Sequence, residues 1–433
     1  MKIIKKSIYF FLLLVLSLSL SVFSWKLINL PLSNNEIVGS YSLNNYNPLN
    51  DVFGYIIFIV LPILFYVFWK FFFEKKKLSD FISNIKFKDE RVSDDLKIYI
   101  LYIFFIFLII LEFFSVQFSI NEVDLFHEGA RLSSAFKSKL DNSLWSGSYI
   151  STGIIHEVLG PKYIWKIFNT ESVGLLRFLN ILFVFITKFI LLLLSFEISK
   201  NTNFNSFFKS VFFIILAIIF LSLINYNTNV DLIKFREIPI LLTILFFIKS
   251  LKNGNKLYTP NIFLGFLAVS TFFWSIDRAL VLNLLIIFIF IFLIINRSYK
   301  NIALIFLSYF FFCIFFYFLL KEEFLFFVSN TISIFKEMPK INGFIHPIPF
   351  SDGANASRST KTILFILISL LISLSFFFKE KSNLSYKFKI SLTLISLVSF
   401  LSYIYALGRT DYTHLKQVFG FPIIFFSCYL LFY

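Results

Sequence analysis

Residues 98–114 read IYILYIFFIFLIILEFF, an apolar run broken only by Glu112. Wound as a helix at about 1.5 Å per residue, it is close in length to a hydrocarbon core of ~30 Å. A few residues later, 121–131 read NEVDLFHEGAR, where carboxylates, a histidine, a glycine and an arginine crowd together. The change from a greasy run to a dense polar cluster predicts a helix that ends at a membrane boundary.

Composition extends this reading to the whole chain. Of 433 residues 58% are hydrophobic and 66 are phenylalanine, too many to hide in one soluble core. The predicted fold class is all-α, a polytopic transmembrane helical bundle of about 11–13 helices with interfacial helices in the first long outer loop. Candidate membrane helices start near residues 8, 52, 98, 175, 210, 238, 261, 279, 301, 361, 390 and 420. MKIIKK opens the first of them like a signal peptide, but the apolar run is long and no A-x-A-like cleavage site follows, so a retained anchor is expected. Both cysteines, Cys313 and Cys428, lie inside apolar runs, which offers neither a disulfide framework nor a thiolate metal site.

Orientation follows from the basic residues. With a cytoplasmic N-terminus, the even-numbered loops collect Lys75–Lys77, Lys86, Lys88, Arg91 and Lys97, then Lys249, Lys252 and Lys256, then Arg297 and Lys300, then KEKSNLSYKFK at 379–389. Short basic loops belong on the cytoplasmic side. That orientation places the loops 117–174, 225–237, 321–360 and 407–419 outside, and with them all four histidines: His127, His156, His346 and His414. The strings NVDLIKFREIP (229–239), WSIDRAL (274–280), FIHPIPFSDG (344–353) and LGRTDYTHLK (407–416) face the same side. Acids, bases and imidazoles from distant parts of the chain are thereby predicted to meet at one membrane face, as a shared reaction site requires.

Within the first outer loop, Asp124 and Glu128 are four apart and share a helical face if residues 124–131 are helical, with His127 alongside. A carboxylate there can take a proton from an attacking hydroxyl while nearby cations hold a departing phosphate. Asp124 is equally placed to cap a helix beginning at Leu125. From topology, Lys234, Arg236, Arg278 and Arg409 are the candidate phosphate-binding cations, and Asp277, Asp411, His414 and His346 the supporting polar groups. Each cation is also placed to anchor a helix end, and Asp277 beside Arg278 to neutralise it.

The pairs His127–Glu128 and His156–Glu157 lack the H-E-x-x-H spacing of a zinc site. No cofactor is required, and a loosely held Mg2+ or Mn2+ beside a phosphate suits the residues better than a dedicated zinc centre. Nucleotide-binding glycine loops and G-x-S-x-G are absent from the sequence, which leaves nucleotide-driven pumping and hydrolase chemistry without their motifs. The net charge of +15 is spread over loops on both faces, as suits anionic lipid rather than nucleic acid.

DLFHEGARL at 124–132, YISTGIIHEVLGPKYIWKIFN at 149–169 and ESVGLLRFLNILFVFITKFILLL at 171–193 together resemble the GT-C superfamily of integral-membrane glycosyltransferases. The shared pattern is an acidic first outer loop, interfacial helices, then an apolar helix opening with an R-x-L-N-like string, here Arg177 to Asn180. The resemblance is best over residues 98–200. It implies an inverting hexosyl- or pentosyltransferase that moves a sugar from a polyprenyl-phosphate donor to a hydroxyl of a glycan, lipid or protein during cell-envelope assembly. Asp124 falls at the position implied to act as base or to orient the acceptor, with Glu128 its partner. The protein is then expected in a bacterial inner membrane, its active site facing outward and in contact with membrane lipids.

One departure is the helical hairpin ahead of the acidic loop. It divides the chain into residues 1–97, a membrane hairpin with a basic cytoplasmic loop, and 98–433, a GT-C-like transmembrane module. Two other readings compete. An O-antigen polymerase or ligase-like enzyme would use the 321–360 loop with His346, Asp352 and Arg358, and a lipid-linked glycan flippase would need ionisable groups deep in the membrane, for which Lys188 and Glu112 are the candidates.

Overall fold

A computed structural model describes residues 2–32, 36–87, 95–117, 123–124, 127–148, 150–226, 231–251, 258–378 and 384–433. Most of these residues are helical, with no strand among them, and they form nineteen α-helices. The helices are α1 (Lys2–Leu27), α2 (Ser40–Leu43), α3 (Leu49–Phe68), α4 (Leu78–Ile85), α5 (Leu96–Ser115), α6 (His127–Asp141), α7 (Gly160–Phe168), α8 (Val173–Lys200), α9 (Ser206–Ser222) and α10 (Ile238–Ser250). They continue as α11 (Tyr258–Trp274), α12 (Ile276–Ile295), α13 (Tyr299–Leu320), α14 (Glu323–Asn342), α15 (Ala354–Phe378), α16 (Tyr386–Ser402), α17 (Ile404–Leu407), α18 (Tyr412–Val418) and α19 (Gly420–Phe432).

Each of the twelve expected starts falls on or beside one of these helices. Among the described residues, eight spans are long and apolar enough to cross a membrane, or nine if α18 and α19, bent by 42° at their break, count as one. The others, α9, α10 and α11, are shorter, at 17, 13 and 17 residues. A helix satisfies its own backbone, which is what a chain this apolar needs in lipid. The protein is thus an integral membrane protein with an all-α fold.

The chain forms two compact units. Unit 1 comprises Met1–Lys86, Phe335–Asn383 and Leu392–Phe426, and unit 2 comprises Phe87–Ile334, Leu384–Ser391 and Ser427–Tyr433. In unit 1, α1 packs along α3, and α3 in turn meets α15 and α17. Its core gathers Trp25, Tyr55, Phe58, Ile363, Leu367 and Tyr403. A polar nest lies in that core. Asp51 accepts hydrogen bonds from the Tyr46 hydroxyl (2.6 Å) and the His346 backbone N–H (2.9 Å). The His346 ring stacks on Trp25 at 5.3 Å, and its Nε2 lies 2.9 Å from the Tyr403 hydroxyl.

In unit 2, α8 packs against α5, α9 and α10, while α11 pairs with α10, α12 and α13. Ser172 caps α8 by accepting from Leu175 N–H, which fixes where the helix begins and so where Arg177 and Asn180 project. Deeper along α8, buried Lys188 pairs with Glu112 of α5 and lies 4.7 Å over the Tyr226 ring. The two ionisable groups that the sequence places deepest therefore neutralise one another.

Candidate functional site

In unit 2 the site is built where α6, α8, the segment 150–159, the turn before α10 and the α11–α12 corner meet. The base of this region is aromatic. Phe235 stacks on Phe183 at 5.2 Å, Trp274 sets its edge against Phe183 at 5.2 Å, and its indole N–H donates to Phe235 C=O (3.2 Å). These contacts fix the backbone just before Arg236 against the turn that carries Asp277 and Arg278.

The segment 150–159 is clamped to that same corner. Ile276 N–H donates to Thr152 C=O (2.8 Å), and the His156 Nδ1 lies 3.1 Å from Trp274 C=O. Glycine is needed at 153, since a Cβ there would stand 2.1 Å from the Trp274 carbonyl oxygen. From Ile155 to Leu159 the chain runs as a π-helix, a geometry associated with functional sites. Glu157 is consumed locally by the N–H groups and hydroxyls of Ser151 and Thr152. His156 is buried, and desolvation holds its imidazole well below the usual value, with Arg131 and Arg236 adding to the shift. It is a neutral strut.

Ion pairs then link the elements. Arg177 of α8 grips Glu128 of α6 with two bonds, Nε to Oε1 at 2.8 Å and Nη2 to Oε2 at 2.9 Å. This forked arrangement is the strong geometry for a guanidinium and a carboxylate, and it holds the Glu128 carboxyl below its ordinary range. Glu128 Oε2 also accepts from the Asp124 backbone N–H (3.0 Å), while the Asp124 C=O accepts from the N–H groups of Glu128 and Gly129. Asp124 therefore precedes α6 with its backbone tied to the first turn, and the residue is exposed. His127 opens α6, and its side chain lies outside the described residues, as do Leu125 and Phe126.

Behind this rim lies a second set. Arg278, 1% exposed, meets Glu237 at 2.5 Å and Asp277 at 3.3 Å, and Asp277 also reaches Arg236 at 3.5 Å. Burial raises the Glu237 carboxyl above its ordinary value, with Arg278 opposing. Arg131 and Lys234 face these groups with no carboxylate in ion-pair range among the described residues. Arg131 touches Asn180 Oδ1 at 3.4 Å, and burial depresses its guanidinium, with Arg236 contributing to the depression. Lys234 is pushed down to about 8, first by burial and then by Arg236. Cations that lower one another's pKa without full compensation make a place where an anion is favoured.

Of the residues expected at a shared site, Asp124, Glu128, Lys234, Arg236, Asp277 and Arg278 are brought together in unit 2. Arg409, Asp411 and His414 cluster with each other in unit 1, where His346 is buried in the nest described above. Sequence reasoning passed over Arg131, Glu237 and the pairing of Arg177 with Glu128. The signal for Arg131 was present, since it follows Glu128 by three and Asp124 by seven on one helical face. Among the described residues no group of three or more His, Cys, Asp or Glu could hold a metal ion. No family model matches this chain, and neither a curated protein nor a solved structure matches it.

Proposed function

We propose that this protein is a membrane glycosyltransferase that moves a sugar from a polyprenyl-phosphate donor to a hydroxyl of a glycan, lipid or protein, with inversion, at the outer face of a bacterial inner membrane. The observation that carries the reading is that Arg131 feels the charges of both Asp124 and Arg236, and Lys234 those of Arg131 and Arg236, so that cations from two separate segments gather near exposed Asp124.

Each group then has a role. Asp124 accepts the proton of the acceptor hydroxyl as that oxygen attacks the anomeric carbon. The bond from that carbon to the phosphate oxygen breaks, and Arg131, Lys234 and Arg236 hold the departing phosphate. Glu128 is locked by Arg177 and serves to position Asp124. Arg278, Glu237 and Asp277 hold Arg236 in place. The family likeness of DLFHEGARL and of the Arg177 to Asn180 string supports the same assignment.

The test uses membrane vesicles holding the wild type or Asp124→Asn, supplied with radiolabelled polyprenyl-phosphate monosaccharides and a total lipid-glycan extract. Transfer from one donor is expected, falling at least about 100-fold in the variant while membrane insertion is unchanged. Undiminished transfer in Asp124→Asn removes it as base. Transfer from no monosaccharide donor, with glycans lengthened from polyprenyl-diphosphate oligosaccharide, replaces the proposal with a polymerase.

A further inference from the structure

Unit 1 holds a cationic cluster that the proposed transfer does not use. The ring of Tyr412 is 52% exposed, with the Arg358 guanidinium 5.2 Å and the Lys416 ammonium 5.9 Å from its centre. Beside it, Arg409 meets Asp411 at 3.1 Å, and Asp411 lies 2.8 Å from the His414 Nδ1, whose ring leans on Tyr405 at 5.3 Å. Lys361, one turn beyond Arg358 on α15, is exposed. Arg358, Lys361, Arg409 and Lys416 are thus opposed by Asp411, and Asp411 is already shared between Arg409 and His414.

The location says what such a cluster meets. α15 begins at Ala354, the span Tyr386–Leu407 ends just before it, and the bent pair starts at Tyr412. Three apolar helices therefore have an end here, and the ends of membrane-spanning helices are where headgroups are met. An exposed tyrosine suits that boundary, apolar in its ring and polar at its tip. Two cations held over the ring faces keep their charge at the headgroup layer instead of withdrawing toward water. From this convergence we infer that the Arg358–Tyr412–Lys416 cluster is a binding site for the phosphate headgroup of an anionic membrane phospholipid, with Arg409 as a further contact. It goes beyond the transferase reading and stands without it.

The test is native mass spectrometry of the delipidated full chain in detergent, titrated with phosphatidylglycerol or phosphatidylcholine. A preference for phosphatidylglycerol is expected, weakened roughly twentyfold in Arg358→Gln/Lys416→Gln, since two interfacial cations are removed. Tyr412→Phe retains the preference and Tyr412→Ala reduces it. Should the double variant fail to fold, 1 M salt applied to the wild type gives the same reading, because screening at that strength removes an exposed electrostatic preference. Equal binding of the two lipids, or a preference untouched by these changes, overturns the site. Displacement of phosphatidylglycerol by millimolar inorganic phosphate would make it a site for soluble phosphate, and displacement by equimolar polyprenyl phosphate a donor site. Either result overturns the headgroup assignment.

Discussion

Arg278 in unit 2 and His346 in unit 1 are each 1% exposed, yet the protein treats their charge in opposite ways. A guanidinium does not lose its proton, so burying one requires carboxylates, and Glu237 and Asp277 are both brought to it. An imidazole does lose its proton, and burial pushes His346 down to about 3, where the neutral ring meets the Tyr403 hydroxyl through Nε2 and stacks on Trp25, its buried Nδ1 having no hydrogen-bond partner among the described residues. The contrast separates a network from a lock. The ionic set extends through Asp277 and Arg236 to Arg131 and Lys234, whose charges Arg236 opposes. The nest around His346 closes on itself.

The comparison can be broken at its strongest point. Arg278→Leu strips Glu237 of its counter-charge and should cost about 3–5 kcal/mol, read as a lower melting temperature in detergent. Replacing Glu237 by Leu as well should recover most of it. Failure of the single variant to destabilise would mean that the pair is not desolvated as described.

Next in size, Arg131→Gln removes a cation that binds no carboxylate of its own. Its folded stability should stay within about 1 kcal/mol of the wild type, while the apparent donor KM rises roughly 10- to 100-fold, the worth of a charged hydrogen bond to phosphate. A large loss of stability with no change in KM would make Arg131 a structural residue.

Acid should act on the lock. Unfolded, His346 takes a proton near its ordinary value of about 6.5, whereas folded it stays neutral until about 3. Between these values the unfolded chain binds more protons, so stability is lost as pH falls through this window, by up to about 1.4 kcal/mol per pH unit. His346→Gln should show a shallower acid slope in thermal melts, and an unchanged slope would refute the assignment.

The smallest effect is expected at Lys234. With its folded value near 8, it is charged at pH 7 and loses its charge by pH 9. Donor affinity should therefore fall several-fold over that interval, and Lys234→Arg should flatten the profile. The stability sign is opposite: unfolded lysine keeps its proton to about 10.4, so folding is favoured as pH rises between 8 and 10.4.

Much of the fold was legible because apolar runs in lipid leave helices as their main option, and twelve expected starts met twelve helices. The alternation of loops picked out Lys234, Arg236, Asp277 and Arg278, which fall in unit 2 with Asp124 and Glu128, and equally Arg409, Asp411, His414 and His346, which fall in unit 1. What could not be read was partnership. Nothing in the spacing of Glu128 and Arg177, separated by a loop and the interfacial helix α7, says that a forked bond joins them. The spacing of His156 and Glu157 spoke against a zinc site, but it did not reveal that Ser151, Thr152 and the Trp274 carbonyl engage those side chains. The expected division at residue 97 follows the chain, whereas the two compact units do not, since the N-terminal hairpin shares its unit with helices from the far end of the chain.

The π-helical turn at Ile155–Leu159 is also a mark on the chain's history. A π turn holds one residue more than an α turn, as a one-residue insertion at the start of this helix would leave it. Deleting a residue there would restore the ordinary ladder and rotate everything on one side of it by about 100° relative to the other. Thr152 would leave the Trp274 corner, and Glu157 would lose the hydroxyls that occupy it. Sequences descended from a common ancestor with this one should therefore tolerate many exchanges among Ile155, Val158 and Leu159, but no change in their number.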